Sequence, residues 1–499
     1  MQHSHKAIII GSGVAGLAAS IRLAVMGFEV EVFEKNAYPG GKLSHFRQEG
    51  YSFDAGPSLF IQPENIQELF DLAGEPIESY FQYSEVDTAC KYFYEDGTII
   101  QAYTDPDKFA LELKNKIGED PSRVKQYLES SKNIYEQIGK IFLNYSLHKK
   151  KTIRSAPIRK ALQSVVFSDL FRTLDHKNRA AFSKDQTIQL FNRYATFNGS
   201  NPFKTPGMMR MIGNLEYTGG VYFPKGGMIS ITDALYRLAL KKGVLFRFNS
   251  PVEKIIHHEN KALGVLEGNE NHFADLVVSN SDAYLTYKHL LNDDRIAKKI
   301  GKQERSSSAM IFYWGISRNF PELELHNIFF SRNYQDEFLK IFKDKTLSED
   351  PTIYINITAK CEPGLHAPEN KENWFVMINA PADYGQKWDD LKKRAKTNIL
   401  GKLTRLLKTD IAALIETEKI LDPVLIESST TAYRGSLYGT SSNSPRAAFL
   451  RQPNFSRDIA RLYFTGGSVH PGGGIPLCLK SAKIMCELIR EDKKKWKNH

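Results

Sequence analysis

Gly11-Ser12-Gly13-Val14-Ala15-Gly16, set directly behind the apolar run Ala7-Ile8-Ile9-Ile10, is the stretch on which the fold is decided. Four apolar residues in succession read as a buried strand, and the glycines mark a sharp turn into a helix. The first glycine permits the turn, the second lets backbone N–H groups approach a pyrophosphate, and the third lets the helix pack on the strand. Glu34 follows Gly16 by 18 residues, at the end of a second strand, Glu29-Val30-Glu31-Val32-Phe33. A carboxylate there accepts hydrogen bonds from a ribose diol. Such glycines alone are weak evidence; between a strand and a helix, with an acid at this distance, they specify a dinucleotide site.

Beyond this unit, a chain of 499 residues exceeds one core, and two or three domains are expected. Hydrophobic residues at 41% and charged residues at 25% are ordinary for a soluble globular protein. The net charge of +10 would attract nucleic acid or an anionic membrane surface. No zinc-finger spacing or aromatic RNA-binding strand accompanies it, so no nucleic-acid partner is expected. Cys90, Cys361, Cys478 and Cys486 form no CxxC pair and read as reduced thiols of a reducing compartment. The histidines show no metal-ligand spacing, and no metal is expected. Met1 to Lys6 is too short for a signal peptide ahead of the first strand. The segment from Ala7 to Met26 imitates a membrane span, but its three turn glycines and Arg22 suit the nucleotide unit better. The expected location is cytoplasmic, resting on a membrane rather than crossing it.

Further along, Tyr38-Pro39-Gly40-Gly41-Lys42 and Gly50-Tyr51-Ser52-Phe53-Asp54-Ala55-Gly56-Pro57-Ser58 hold backbone close to something, or simply turn. Residues 86–104 read as a β-hairpin around Glu95-Asp96-Gly97. Residues 107–195 are mainly helical and basic. Within them Lys149, Lys150, Lys151, Arg154, Arg159 and Lys160 precede Leu162, Val166, Leu170 and Leu174, spaced as one face of a helix. That pattern fits a basic surface on anionic lipid and fits equally a core-facing helix with a solvated cationic side. Residues 217–256 return to strand, helix and strand, with Val252-Ile256 and Ala262-Val265 as a hairpin and Ala274-Asn280 as a buried strand. Strands at 309–314, 352–355 and 374–378 carry dense aromatics. The chain closes with Gly466-Gly467, a turn through His470-Pro471-Gly472-Gly473-Gly474-Ile475-Pro476, and a final helix expected from Leu477 to Arg490. With no repeat or linker, the nucleotide domain must be discontinuous.

The ordered set of GSGVAG with Glu34, PGGK, FDAGPS, YFPKGG, ADLVVSNSDA and LYFTGGSVHPGGGIP resembles the bacterial-type carotenoid desaturases over nearly the whole length. That group includes phytoene, diapophytoene and hydroxycarotenoid 3,4-desaturases. The resemblance implies an α/β, Rossmann-like FAD-binding fold of the amine-oxidase type, with a mixed-sheet substrate domain and a helical membrane-facing region. It divides the chain into an FAD-binding domain (1–85, 215–290 and 421–499), a substrate domain (86–106 and 291–420) and a basic helical region (107–214). Two departures stand out: Gly467-Ser468-Val469-His470-Pro471 where the family commonly has Gly-Ala before Thr-His-Pro, and Leu477-Cys478-Leu479 where it often has another glycine.

The same resemblance assigns roles. Gly11, Ser12, Gly13, Val14, Ala15 and Gly16 hold the pyrophosphate of FAD. Glu34 holds the adenosine ribose, with Lys35 beside it. Gly40, Gly41 and Lys42 flank the diphosphate and ribityl, and Gly56, Pro57, Ser58 and Leu59 run near the isoalloxazine. Val252 meets adenine through its backbone. Gly466, Gly467, Gly474, Ile475 and Pro476 bring the last helix to the ring. The reaction implied is loss of a hydride and a proton from adjacent carbons of a carotenoid, and the substrate domain must then enclose an apolar tunnel. His470 is the candidate catalytic base, or alternatively a structural turn residue. The expected activity is C-3,4 desaturation of a 1-hydroxycarotenoid, with phytoene or diapophytoene desaturation as the alternative. A flavin amine or porphyrinogen oxidase and a prenylated-protein-binding module share the fold. Oxygen, a quinone and exchangeable FAD are all open as electron acceptor.

Overall fold

The structure, a computed structural model, describes residues 5–164 and 167–496. Five parallel strands form the nucleotide sheet. His5–Ile10 lies at its centre; Phe28–Phe33 and Leu245–Arg247 follow on one side, Leu276–Ser279 and Leu462–Phe464 on the other. Strand order therefore reverses between His5–Ile10 and Leu276–Ser279. Ligands of open parallel sheets bind in the crevice at the carboxyl ends of strands at such a point.

The apolar run has a physical reason. Ala7 and Ile9 pack on one side with Leu17, Ile21, Leu235 and Leu479. Ile8 and Ile10 pack on the other with Val277, Phe464 and the antiparallel ribbon Val252–His258, Lys261–Glu267 and Glu270–Phe273. A strand covered on both faces has no solvent side and so reads as continuous hydrophobics. Its helix, Val14–Val25, comes close to it through Gly16: a Cβ there would stand 2.1 Å from the carbonyl oxygen of Gly11.

A second, seven-stranded sheet runs in the order Ile415–Leu421, Ser308–Ile316, Glu372–Ala380, Ile353–Asn356, His326–Phe329, Thr88–Phe93 and Ile99–Tyr103. All its pairings are antiparallel except that of His326–Phe329 with Thr88–Phe93. Helices Pro106–Ile117, Pro121–Ile134 and Asp185–Asn192 bury Phe109, Leu113, Tyr127 and Phe191 against it.

Two expectations need correction. The last helix runs Ile475–Trp496, longer at both ends than expected, so Ile475 and Pro476 open it. Proline is tolerated there because the first-turn N–H groups have no intrahelical acceptor. At its other end Lys493 lies over the Phe28 ring, Nζ 4.5 Å from the centroid. The stripe from Leu162 to Leu174 is not one helix. Leu162 belongs to Ala156–Gln163, Leu170 to the separate Phe167–Phe171, and Leu174 opens Leu174–Ala181, whose N-cap Thr173 accepts from the His176 N–H at 3.2 Å. Val166 lies outside the described residues. Among the described residues no helix is long and apolar enough to cross a membrane.

Candidate active site

A cavity of about 960 Å³ opens at the crevice of the nucleotide sheet and continues between the two sheets. That is near the top of the range, about 300–1,000 Å³, usual for ligand pockets. Gly11, Gly13, Val14 and Ala15 line its nucleotide end. Gly13 is the N-cap of Val14–Val25, with no side-chain cap and no acid in the first turn, so the N–H groups there and the positive end of the helix dipole await an anion. The PGGK turn is fastened alongside, the Gly40 N–H donating to the Ser12 carbonyl at 2.9 Å. Gly41 stands at φ +59°, and a Cβ on it would meet the Gly13 Cα at 3.3 Å. Side chains here would fill the groove between the two turns.

Glu34 is buried and lines the cavity. Its Oε2 accepts from both the N–H and the hydroxyl of Ser12, each at 2.8 Å, and its Oε1 accepts from the Asn36 N–H at 2.9 Å. Each carboxylate oxygen takes two hydrogen bonds, so Oε1 retains one position for a ribose hydroxyl. Ser12 and Gly16 do not line the cavity; the first orients Glu34 and the second packs the helix. Lys35 lines it with Nζ on the Ser428 carbonyl at 2.6 Å. Val252 lines it with Ser250 and Pro251.

The middle of the wall comes from Gly56, Pro57, Ser58, Leu59, Gly466, Gly467, Gly474, Ile475 and Pro476. Gly474, at φ +100°, has open space where a Cβ would stand. Lys42 is half-buried here, its Nζ donating to the Leu437 carbonyl at 2.9 Å, and desolvation lowers its pKa. His470 also lines the cavity, but its Nε2 is engaged with the Tyr145 carbonyl at 2.9 Å. Burial, with His148 beside it, pushes its pKa down to about 4. The imidazole is neutral, and its Nε2 is bonded into the wall.

Farther in, Phe142, Leu143, Met209, Met211 and Leu215 from the helical region face the cavity, as do Ile311, Phe375 and Met377 from the second sheet. Sequence reasoning missed a polar cluster among them. Arg193 pairs with Glu216 at 2.9 Å, both buried, and Tyr194 donates to the same carboxylate at 2.6 Å. Tyr354 bonds Ser58 and His326, each at 2.8 Å. Asn280 was also passed over, although it ends a strand that was recognised. Its Nδ2 donates to the Gly11 carbonyl at 3.3 Å and bounds the glycine turn. An amide just past a buried strand, beside the switch point, was the available signal.

The chain matches the flavin containing amine oxidoreductase family over residues 14–490. It is 52% identical to 1-hydroxycarotenoid 3,4-desaturase of Flavobacterium sp. (strain P99-3), over 97% of this chain and 99% of that one. It is 31% identical to 4,4'-diapolycopene oxygenase of Methylomonas sp, over 98% and 99% of the two chains. Cyclohexylamine oxidase from Brevibacterium oxydans IH-35A shares the fold, with a TM-score of 0.62 at 15% identity over 98% of this chain and 100% of that one. The uncapped helix end, the side-chain-free groove between two glycine turns and the open oxygen of Glu34 fit FAD, and FAD is the cofactor. The chain is a flavoenzyme of the flavin containing amine oxidoreductase family and, within it, belongs to the carotenoid desaturases.

Proposed function

We propose that this protein desaturates the C-3,4 bond of a 1-hydroxycarotenoid. The observation that carries the reading is one cavity with two characters, a glycine-lined cradle for FAD and an apolar extension walled by Met209, Leu215, Phe375 and Met377. The 52% identical relative over nearly the whole of both chains supports the choice of substrate. When bound, FAD supplies a hydride acceptor for the oxidation. The chain's own part is to bind and orient. The apolar wall takes up a polyene and excludes water, favourable by roughly 25 cal/mol for each Å² of apolar surface buried. A carotenoid offers no acidic proton at the reacting carbon, so the chain needs little acid–base equipment. Hydride loss from an allylic carbon leaves positive charge spread along the polyene, and a proton departs from the neighbouring carbon.

A substrate dissolved in lipid calls for a protein that rests on membrane. Tyr145, Ile153 and Phe171 are exposed among the basic residues of the helical region, which supports a peripheral site on the cytoplasmic face of a membrane. Purified protein reconstituted with FAD, given 1-hydroxylated carotenes, phytoene or lycopene, tests the reading. A red-shifted product from the hydroxylated substrate is expected. Folded, yellow protein that shifts none of these spectra overturns the assignment.

A further inference from the structure

Only two residues that line the cavity carry a buried polar side-chain atom with no hydrogen-bond partner, among the described residues: His326, through Nε2, and Asn198, through Oδ1. An unpaired buried polar group is costly, roughly 1–3 kcal/mol, and in a binding cavity it points to a ligand group that completes it.

The state of His326 follows from its neighbours. The Asn356 amide nitrogen donates to the Leu325 carbonyl at 3.2 Å, which fixes the amide's orientation, and the same nitrogen approaches His326 Nδ1 at 3.2 Å. An amide NH2 only donates, so Nδ1 is the acceptor. Nδ1 has a single lone pair, so the two donors that face it share it, the Tyr354 hydroxyl being the closer at 2.8 Å; with its proton given to Nδ1, that hydroxyl accepts from Ser58. Burial, together with the nearby Arg193 guanidinium, keeps the ring neutral, its pKa pushed down to about 3. A neutral imidazole with an accepting Nδ1 carries its proton on Nε2. His326 therefore carries an unpaired N–H donor in a wall that also holds Ile328, Phe375 and Met377, and because that atom is covered, a ligand reaches it by displacing a neighbouring side chain. Through Tyr354 it is tied to Ser58, in the segment that lines the middle of the cavity.

We propose that His326 Nε2–H donates a hydrogen bond to the tertiary hydroxyl of the substrate and makes this protein selective for a hydroxylated end group. In a 1-hydroxycarotenoid the carbinol carbon is separated from the C-3,4 bond by a single methylene. Whatever seats the hydroxyl thus also sets which bond faces the flavin. Ser58 and Tyr354 act as positioning residues, holding the ring and its tautomer. The inference rests on the reading of the reaction given above.

The test uses FAD-loaded protein and two substrates, a 1-hydroxylated acyclic carotene and the same carotene lacking the hydroxyl. Binding is followed by tryptophan quenching and turnover by product spectrum. The parent is expected to bind and turn over the hydroxylated carotene at least about tenfold better, the worth of one hydrogen bond of about 1.4 kcal/mol. His326→Leu should erase that preference in both readouts. His326→Gln, which keeps an N–H donor, should retain most of it, and Tyr354→Phe should weaken it. A parent that converts both carotenes equally well overturns the proposal even if His326→Leu fails to fold. So does a His326→Leu protein that keeps the parental preference. If the parent converts neither carotene, the proposed function fails first, and the seat for the hydroxyl falls with it.

Discussion

The imidazole of His470 is held through Nε2 by the Tyr145 carbonyl, and its pKa lies at about 4 rather than 6.5. In the unfolded chain the same ring takes a proton near pH 6.5. Between these values the unfolded state binds more protons, so His470's contribution to stability is fully present above about pH 6.5 and is lost as pH falls toward 4. At pH 5 the loss is about 2 kcal/mol. Thermal unfolding of the parent and of His470→Asn, measured at pH 7.5 and pH 5, checks this. The parent's midpoint should fall more steeply, by an amount equivalent to about 2 kcal/mol. Equal slopes would mean that the ring is solvated and free to act as a base.

At the scale of elements, the basic helical region has an inner face that belongs to the core and an outer face that carries charge. Phe109, Tyr127 and Phe191 are buried against the second sheet, whereas Lys150, Lys151 and Arg154 are exposed on or beside the helix Lys150–Ile153. Lys149 faces Asp492 at 3.4 Å and is partly neutralised. Neutralising Lys150, Lys151 and Arg154 by Lys150→Gln, Lys151→Gln and Arg154→Gln should cut binding to anionic vesicles about a hundredfold, since each basic residue near such a surface is worth about 1 kcal/mol. Co-sedimentation with phosphatidylserine-containing vesicles at low salt reads this out; unchanged binding would place the membrane face elsewhere. The elements legible in the sequence were those whose signal is local. Ile8 to Ile10, the glycine turn and Glu34 lie within one strand–helix–strand unit, and the hairpins and the buried strand ending at Ser279 carry their own periodicity. The broken stripe at Leu174 shows the limit: a four-residue spacing continues through Thr173, whose side chain starts a new helix. Nor does periodicity reveal that Thr88–Phe93 pairs parallel with His326–Phe329, because that contact joins distant segments. The cluster of Arg193, Glu216, His326 and Tyr354 that gathers beside Ser58 was hidden for the same reason. Each member looks like an ordinary core polar residue until the sheet brings them to one wall.

At the scale of the whole molecule, the wall of the cavity that fits FAD comes from the start, the middle and the end of the chain: Gly13 and Gly41, then Val252 and Asn280, then Gly467 and Gly474. Binding at such a site couples segments that the chain itself does not hold together. A ligand that binds only the folded state adds about 2.7 kcal/mol at a hundredfold excess over its dissociation constant. For a chain of 499 residues unfolding as a unit, that is a rise in melting temperature of about 3 °C. The rise should vanish in Gly13→Val, where the added Cβ would stand 3.0 Å from the Asn280 amide nitrogen at the start of the first helix. It should vanish equally in Gly474→Val, at the opposite end of the chain, where φ is +100° and the added side chain would project into open cavity. The melting temperature of each protein with and without FAD, with flavin fluorescence as a direct measure of binding, decides the matter. If Gly474→Val retains the full rise, the last helix does not help close the cradle, and the cofactor is held by the N-terminal half of the site alone.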